Sequence, residues 1–324
     1  MFDHLADRFL VEHAYRFKKS AKEDERSLKL HLRPKWARKR YAEIRRRDVV
    51  ELIESIYASG RHALAVRLKA TVSKIFAFAI SKDLLDANPA SGIGRIADLK
   101  PRERVLADDE IRMAWNLFMV PPASRVVGLT LRLVLATGQR PGEVAGMRVA
   151  ELSDLADHQN AVWRLPAMRS KNGREHTIPL TSLSVSILQE ALSTGSEAPN
   201  GKVAAREYVF PSPRTDKAIT AHSLAVAMTR IAQQTVAAAA NANLNGHQVC
   251  AETWLKIRPT PHDLRRTAAT RMRALGFSSD DVKHILNHAP TSVLGRHYDR
   301  YDPLPEKRRA LEAWAAYLER IVTD

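Results

Sequence analysis

Along most of the chain, apolar residues recur at intervals of three and four, the spacing that aligns them on one face of an α-helix. Phe2, Leu5 and Phe9 begin this pattern at the first residues, with no capping residue ahead of them. A helix is therefore predicted from the start of the sequence. Either this helix begins the protein or further chain precedes it.

The next two helices carry end signals of their own. Asp48, with Glu51 three positions further on, matches a capping box and predicts a helix that Gly60 closes. Residues 64–80 then repeat Leu, Val, Ile and Phe at helical spacing, and the pattern stops before Pro89. The first part of the chain is thus predicted to be a small helical domain.

Between residues 161 and 180 the helical spacing gives way to short runs that contain β-branched residues. The runs Val162–Leu165 and His176–Leu180 flank the pair Asn172-Gly173. Asn-Gly between two such runs is a strong signal for a two-residue hairpin turn. We therefore predict a tight β-hairpin in this region.

Helical patterns surround this hairpin in the second half of the chain. They are predicted from Asp108, at 126–136, 182–193, 222–240, 262–275 and 279–287, near Thr291, and from Pro305 to the end. The apolar stripe of the last helix would either pack on its own domain or dock on a neighbouring protomer. The predicted fold class is mainly α with a small antiparallel β-sheet (α+β).

The length of 324 residues exceeds a typical single core, so two domains are expected. Residues 90–104 contain two glycines, a proline and net positive charge without a sustained period, which is typical of a linker. We predict a helical domain at 1–92, a linker at 93–105 and a mixed α and β domain at 106–324.

The composition is that of an ordinary globular protein, with 45% hydrophobic and 27% charged residues. No apolar run reaches membrane-spanning length, and the first residues lack the basic and apolar regions of an export signal. Cys250 is the single cysteine, so no intrachain disulfide can form. The cytoplasm is the expected location, with no membrane partner.

Basic charge is the unusual feature of the composition. The formal net charge is +15, and residues 1–100 hold 22 Lys and Arg against 13 Asp and Glu. Such a surface binds a phosphate backbone through counterion release, although charge runs are more commonly solvated faces. Trp36 and Tyr41 interrupt the densest run and favour DNA contact. The predicted DNA-binding residues are Arg33, Lys35, Arg38, Lys39, Arg40, Arg45, Arg46 and Arg47.

The second domain carries polar residues that could act on such a polyanion. Arg140 lies in the segment 137–143, where Gly138 ends one predicted helix and Pro141 begins the next. An arginine there presents a planar fork of donors beside free backbone amides, which suits phosphate oxygens. Glu143 would orient this arginine, unless the two form only a structural ion pair.

His262 and Arg265 are three positions apart at the start of a predicted helix, so they share one face. Arg265 is therefore a better partner for His262 than Arg266, and one of the two arginines is expected to be solvated. His288 and Tyr298 follow further along the chain. A tyrosine hydroxyl has an ordinary pKa of about 10 and becomes a nucleophile only where neighbours stabilise phenolate or accept its proton.

Four segments together resemble the tyrosine recombinase (phage integrase) family. Residues 136–143, 262–267, 286–288 and 297–301 follow the order and approximate intervals of that family's motifs. The resemblance spans the whole second domain, and the basic helical domain ahead of it looks like the family's core-binding domain. Asn287 departs from the pattern, since many relatives have glycine there, but asparagine also accepts left-handed backbone geometry.

The resemblance implies a role for each polar residue of the second domain. Arg140 and Arg265 would clamp the non-bridging oxygens of the scissile phosphate. His262 would accept and donate a proton, and His288 would add a hydrogen bond. Metal, ATP and other cofactors are not expected to take part.

Two further residues would handle the bond that breaks and the bond that forms. Lys171 matches the family's lysine on a β-hairpin and would protonate the departing 5′-oxygen. Tyr298 would attack phosphorus and give a 3′-phosphotyrosyl intermediate. Tyr301 lies three residues further on and fits the motif less well.

The implied activity is site-specific recombination through a Holliday junction. Its partners would be double-stranded DNA attachment sites, further copies of the chain in a homo-tetramer on DNA, and accessory DNA-bending proteins in systems that use them. Many integrases also carry an N-terminal arm-binding domain. Either this chain is a compact member of the family or the sequence begins at the core-binding domain.

Three alternatives stay open at this point. Type IB topoisomerases use a similar residue set to relax DNA, and a DNA-binding regulator could keep the fold without catalysis. A metal enzyme is the third, because His284 and His288 are four apart on one predicted helix face. The zinc-protease signature requires Glu after the first histidine, where this sequence has Ile285.

Overall fold

The chain folds into two compact units, residues 1–102 and 103–324, each with its own buried apolar core. The computed structural model describes residues 1–18, 20–194, 206–241, 253–254, 256–288 and 303–323, with the backbone alone at 236–241. The first unit is helical, and the second combines helices with a three-stranded antiparallel sheet. This confirms the predicted fold class.

Among the residues that the structure describes, the first unit contains six α-helical segments. They are α1 (Phe2–Phe9), α2 (Tyr15–Phe17), α3 (Ala21–Ser27), α4 (Arg33–Trp36), α5 (Arg46–Ala58) and α6 (His62–Ile80). Wider π-helical turns at Leu10–Ala14 and Leu28–Leu32 join α1 to α2 and α3 to α4. The core of this unit gathers aromatic rings, and Phe2 lies edge-on to Trp36 with ring centroids 5.5 Å apart.

The start of α5 differs from the predicted capping box. The helix begins at Arg46, so Asp48 is its third residue and not its cap. The backbone N–H of Arg45 donates to Oδ2 of Asp48 at 2.9 Å, and Nζ of Lys39 lies 2.7 Å from Oδ1. The carboxylate of Asp48, inside the first turn, thus accepts a hydrogen bond from the backbone amide of the residue before the helix. The prediction instead placed Asp48 before the helix as its cap.

The second unit contains eight helices and three strands among the residues that the structure describes. The helices are α7 (Asp108–Leu117), α8 (Arg125–Thr137), α9 (Pro141–Ala145), α10 (Ser182–Ser193), α11 (Ala221–Asn241), α12 (Pro261–Ala274), α13 (Ser279–Ile285) and α14 (Leu304–Thr323). The strands are β1 (Leu152–Ser153), β2 (Val162–Leu165) and β3 (His176–Pro179), in the order β1-β2-β3. The short helix predicted near Thr291 lies outside the described residues.

The hairpin of β2 and β3 exists, but the prediction of a tight turn is wrong. Leu165 pairs with His176, so the residues 166–175 form a ten-residue loop. Gly173 does adopt a left-handed backbone with φ of +71°. The side chain of Asn172 does not close a two-residue turn, because its amide binds Asn287, which is distant in sequence.

Helix α14 lies on the second unit and closes its core. The side chains of Trp314 and Leu318 are fully buried there, and Nε1 of Trp314 donates to the carbonyl of Leu135 at 2.9 Å. In the single chain, the apolar stripe of the last helix packs on its own unit. In the ranges that the structure describes, no helix has both the length and the apolar character needed to cross a membrane.

Candidate active site

Arg140 lies in a turn between two helices that glycine and proline define. Helix α8 ends at Gly138, whose φ of +66° is left-handed, and α9 begins with Pro141 immediately after Arg140. Nη1 of Arg140 lies 3.2 Å from Oε1 of Glu143, and Nη2 donates to the carbonyl of Asn287 at 3.4 Å. The side chain is 18% exposed, so part of its donor fork faces outward.

Arg265 is buried beneath this turn, with 4% of its surface exposed. It projects from α12, and its Nη1 donates to the carbonyl of Gly138 at 2.9 Å while Nη2 donates to that of Leu286 at 2.6 Å. Burial, together with the positive charge of Arg140, lowers the pKa of Arg265 to about 9. Arg265 is still a cation at neutral pH, and Glu143 offsets part of the combined charge.

His262 and His288 lie within the field of these arginines. Partial burial lowers the pKa of His262 below its ordinary value, and the charges of Arg265 and Arg266 lower it further. The pKa of His288 is lowered for the same reasons, first by partial burial and then by Arg265 and Arg140. The lowered pKa values favour the neutral imidazole at pH 7, the form in which one ring nitrogen can accept a hydrogen bond.

The position of His288 corrects the suggestion of a two-histidine helix face. Helix α13 ends at Ile285, Asn287 is left-handed with φ of +49°, and the N–H of His288 donates to the carbonyl of Lys283 at 3.0 Å. His288 thus lies beyond the helix and away from the face that carries His284. Across the described ranges, no three or more His, Cys, Asp or Glu side chains form a group suited to hold a metal ion.

Lys171 lies on the loop between β2 and β3, with an exposed side chain. Its backbone N–H donates to Oε1 of Glu143 at 3.0 Å, the same carboxylate that pairs with Arg140. The charge of Lys171 also contributes to the lowered pKa of His262, after burial and the charges of Arg265 and Arg266. The loop therefore brings Lys171 to the arginines and histidines.

A buried ion pair anchors the same loop from behind. Nε of Arg169 lies 2.6 Å from Oε1 of Glu151, and Nε1 of Trp163 donates to the other carboxylate oxygen at 2.9 Å. Arg169 also donates to the carbonyl of Glu143 at 3.2 Å and crosses Gly146, where an added Cβ would lie 2.7 Å from Nη1. No local pattern in the sequence predicts these contacts, because an isolated Arg or Glu carries no signal for them.

Of the six residues proposed for catalysis from the sequence, the structure brings five together. They come from four separate parts of the second unit and are Arg140, Lys171, His262, Arg265 and His288. Tyr298, the sixth, lies outside the described residues, as does Tyr301. Arg266, the neighbour of Arg265, is paired with Asp263 and so is not the freely solvated arginine that was expected.

Some residues of the basic run in the first unit form ion pairs within the protein. Nε of Arg33 lies 3.0 Å from Oδ1 of Asp3, and the same guanidinium contacts Asp7. Lys39 pairs with Asp48. Trp36 is 2% exposed and belongs to the core, so it does not interleave with the charges as a stacking surface.

Other members of the run face solvent. Arg40 lies 4.0 Å from Glu43, at the limit of an ion pair. The remaining residues are exposed and lack a carboxylate partner among the described residues; they are Lys35, Arg38, Arg45, Arg46 and Arg47. A basic surface therefore remains, narrower than the sequence alone predicts.

Two models of known protein families match the amino-acid sequence. Residues 105–303 match the model of the phage integrase family, and residues 2–95 match that of the phage integrase central domain. The chain belongs to the phage integrase family. The resemblance drawn from the four motif segments is thereby confirmed.

Curated members of the family resemble the chain over most of its length. It is 25% identical over 279 residues to the prophage integrase IntA of Escherichia coli K12, which covers 84% of the chain and 59% of IntA. It is 28% identical over 234 residues to the tyrosine recombinase XerC of Pelobacter propionicus, covering 69% of the chain and 67% of XerC. The chain thus spans less than two thirds of IntA.

The fold also matches that of solved integrase structures. A lambda integrase tetramer bound to a Holliday junction superposes with a TM-score of 0.64 at 18% sequence identity. The match covers 92% of this chain and 79% of the lambda integrase chain. At this identity the likeness shows that the phage integrase fold is shared.

Proposed function

We propose that this phage integrase family member is a site-specific DNA recombinase that cuts and rejoins DNA through a 3′-phosphotyrosyl intermediate. The observation that carries the proposal is the cluster of two guanidiniums, two neutral imidazoles and a nearby ammonium in the second unit. This set can bind a phosphodiester, move protons and stabilise a charged transition state without help from a metal.

Arg140 and Arg265 bind the scissile phosphate in this proposal. The burial of Arg265, and then the repulsion between the two guanidiniums, are the reasons why its pKa falls to about 9. A phosphate placed between the two guanidiniums relieves that repulsion and supplies the missing negative charge. Because Arg265 is already fixed by two backbone carbonyls, it needs little reorganisation when the transition state forms.

Proton transfer is assigned to the remaining groups. The phenolic oxygen of Tyr298 attacks phosphorus and loses its proton to the neutral imidazole of His262, while His288 donates a hydrogen bond to the phosphate. The bond from phosphorus to the 5′-oxygen breaks, and Lys171 gives that oxygen a proton. Since one phosphoester replaces another, religation by the reverse reaction requires no ATP.

The proposal extends to assembly. The lambda integrase structure described above is a tetramer on a Holliday junction, and we infer that this chain also acts on double-stranded attachment sites as a homo-tetramer in the cytoplasm. The first unit would act as the core-binding domain, with its exposed arginines and lysines on the phosphate backbone. Accessory DNA-bending proteins would take part where the attachment sites require them.

Replacement of the nucleophile tests the central step. Tyr298→Phe should abolish covalent protein–DNA adducts and leave DNA affinity within about twofold, because the phenol makes the bond but contributes little to binding. Adducts are trapped in denaturant on a suicide substrate and identified by mass spectrometry of the tyrosine ester. Tyr301→Phe is the matched control and should retain adduct formation.

The same assay distinguishes the alternatives. Adducts that persist in Tyr298→Phe would move the nucleophile to another residue, with Tyr301 the next to test. A wild-type protein that binds DNA but never forms an adduct would be a regulator without catalysis. Adducts accompanied by relaxation of supercoiled DNA, but by no exchange between two DNA molecules, would indicate topoisomerase activity.

A further inference from the structure

Both neighbours of Lys171 are held by one side chain from a distant part of the chain. Nδ2 of Asn172 donates to Oδ1 and to the backbone carbonyl of Asn287, at 2.9 Å each. In return, Nδ2 of Asn287 lies 3.2 Å from Oγ of Ser170 and 3.3 Å from Oδ1 of Asn172. Oγ of Ser170 donates to Oδ1 of Asn172 at 2.6 Å, which completes the network.

Asn287 occupies a backbone position at which glycine would cost least. Its φ of +49° lies in the left-handed region, where a side chain is tolerated at some cost. The residue is 9% exposed, so its amide must find hydrogen-bond partners inside the protein. Those partners are the two residues that flank Lys171.

The same contacts connect the loop to the phosphate-binding arginine. The carbonyl of Asn287 accepts from Nη2 of Arg140 at 3.4 Å as well as from Asn172. On the other side, Glu143 pairs with Arg140 and accepts the backbone N–H of Lys171 at 3.0 Å. The backbone of Lys171 is thus fixed relative to Arg140 at two points, and only its side chain is free.

We propose that Asn172 and Asn287 form an amide clamp that positions the ammonium of Lys171 for protonation of the departing 5′-oxygen. This inference rests on the proposed function and concerns positioning residues, since neither amide touches the reacting atoms. The side chain of a lysine has four rotatable bonds, and Lys171 lies on a loop of ten residues. Fixing the backbone on both sides of the lysine removes most of the freedom that would otherwise misplace the proton donor.

Asn287→Gly is the main test variant, because glycine keeps the left-handed backbone and removes the side chain that carries the amide. Single-turnover cleavage is measured on ordinary DNA and on DNA with bridging sulfur at the 5′ leaving position. On ordinary DNA the rate should fall about 10- to 100-fold, the usual cost of misplacing a catalytic group by about an ångström. On the sulfur substrate the loss should shrink to less than about threefold, because a thiolate leaves without a proton.

Two further variants serve as controls for Asn287→Gly. Lys171→Ala should show the same pattern in stronger form, since it removes the proton donor itself. Asp154→Gly replaces another left-handed residue, φ of +58°, on an exposed turn of the same unit. It should leave the cleavage of both substrates unchanged, which separates the loss of the amide from the general effect of a new glycine.

Asn172→Ala removes the other half of the clamp from an exposed loop, away from the core. It should reproduce the substrate-dependent loss even if Asn287→Gly lowers the melting temperature. If the clamp is one unit, the double variant Asn172→Ala and Asn287→Gly should be no slower than the worse single variant. Full additivity of the two losses would overturn the proposal.

Other results of the cleavage assays would also overturn the amide clamp. Equal losses on both substrates would show that Asn287 acts through the phosphate site and not through Lys171, which overturns the clamp. Unchanged cleavage of ordinary DNA by both variants would do the same, while leaving the proposed recombinase activity intact. A wild-type protein that forms no adduct on either substrate would instead remove both proposals together.

Discussion

Burial, together with an excess of positive charge, sets the protonation of the side chains of the site. Arg265 is surrounded by protein, with Arg140 beside it, and the lowered pKa values of His262 and His288 have the same origin. A histidine whose pKa is lowered remains neutral to a more acidic pH than usual. The arrangement therefore keeps a proton acceptor available near the phosphate at neutral pH.

The lowered pKa of His262 predicts where DNA cleavage fails in acid. The neutral imidazole persists below the ordinary value of 6.5, so the acid limb of the cleavage rate should lie below pH 6.5. The rate is measured against pH at subsaturating DNA, where it reports the free protein. His262→Asn, which has no titrating ring, should lose the limb.

Two results would contradict this assignment. An acid limb centred above pH 6.5 would mean that burial and the neighbouring cations do not lower the pKa of His262. A limb that is unchanged in His262→Asn would belong to another group, and His288 would be the next to test, since its pKa is lowered in the same way.

In the second unit, the residues of the site lie near the ends of helices and strands. Arg140 lies two residues after Gly138, at which α8 ends, and His288 follows the left-handed residue beyond α13. Arg265 donates to one backbone carbonyl at the end of α8 and to another at the end of α13. Helix α12 carries Arg265 and packs along α8. The position of α8 therefore determines where the two arginines meet.

Gly128 in α8 tests this dependence on helix position. An added Cβ at this residue would lie 1.9 Å from the backbone oxygen of Phe118 at the end of α7. Gly128→Ala should therefore force the two helices apart and lower the free energy of unfolding by about 1–3 kcal/mol. Urea denaturation measures the loss. Gly142→Ala is the control, because its Cβ would lie 3.7 Å from that of Ala221, an ordinary contact.

Equal denaturation midpoints for Gly128→Ala and Gly142→Ala would show that α7 and α8 tolerate separation. The dependence of the arginine pair on the position of α8 would then lose its support. A loss confined to Gly128→Ala, with DNA cleavage reduced as well, is the expected outcome.

At the scale of the whole molecule, charge is distributed unequally between the units. The net charge is +15, and the first 100 residues carry a surplus of nine basic residues over acidic ones. Some of these basic residues form ion pairs inside the first unit, as Arg33 does. The exposed, unpaired members of the basic run are the ones that remain for a phosphate backbone.

Neutralising these exposed residues should weaken the salt dependence of DNA binding. The triple variant Lys35→Gln, Arg38→Gln and Arg47→Gln removes three cations that lack a described carboxylate partner. Each true phosphate contact contributes about 0.9 to the slope of log K against log salt, so the slope should fall by up to about 2.7. Binding is measured by fluorescence anisotropy at several salt concentrations.

The control removes the same charge from exposed sites of the second unit. Its three substitutions are Arg273→Gln, Arg309→Gln and Arg320→Gln. A slope that falls equally in both triple variants, or in neither, would support a solvated face for the basic run. It would also withdraw the assignment of the first unit as the core-binding domain.

The sequence by itself determined the features that depend on short stretches of chain. Helical spacing predicted α6, α8 and α14 closely, and Gly138 ended its helix as expected, because backbone sterics and apolar periodicity act over a few residues. The left-handed geometry of Asn287 agrees with the family resemblance, in which many relatives have glycine at this position. Motif order was sufficient for the family.

Only the tertiary structure decided which side chains meet. Arg265 reaches Gly138 across 127 positions, and Asn172 reaches Asn287 across 115, separations at which no periodicity carries information. The Asn172-Gly173 pair was therefore interpreted as a tight turn, although its amide is used in a distant contact. Such contacts depend on how buried polar groups find partners once the core has closed, which no local pattern specifies.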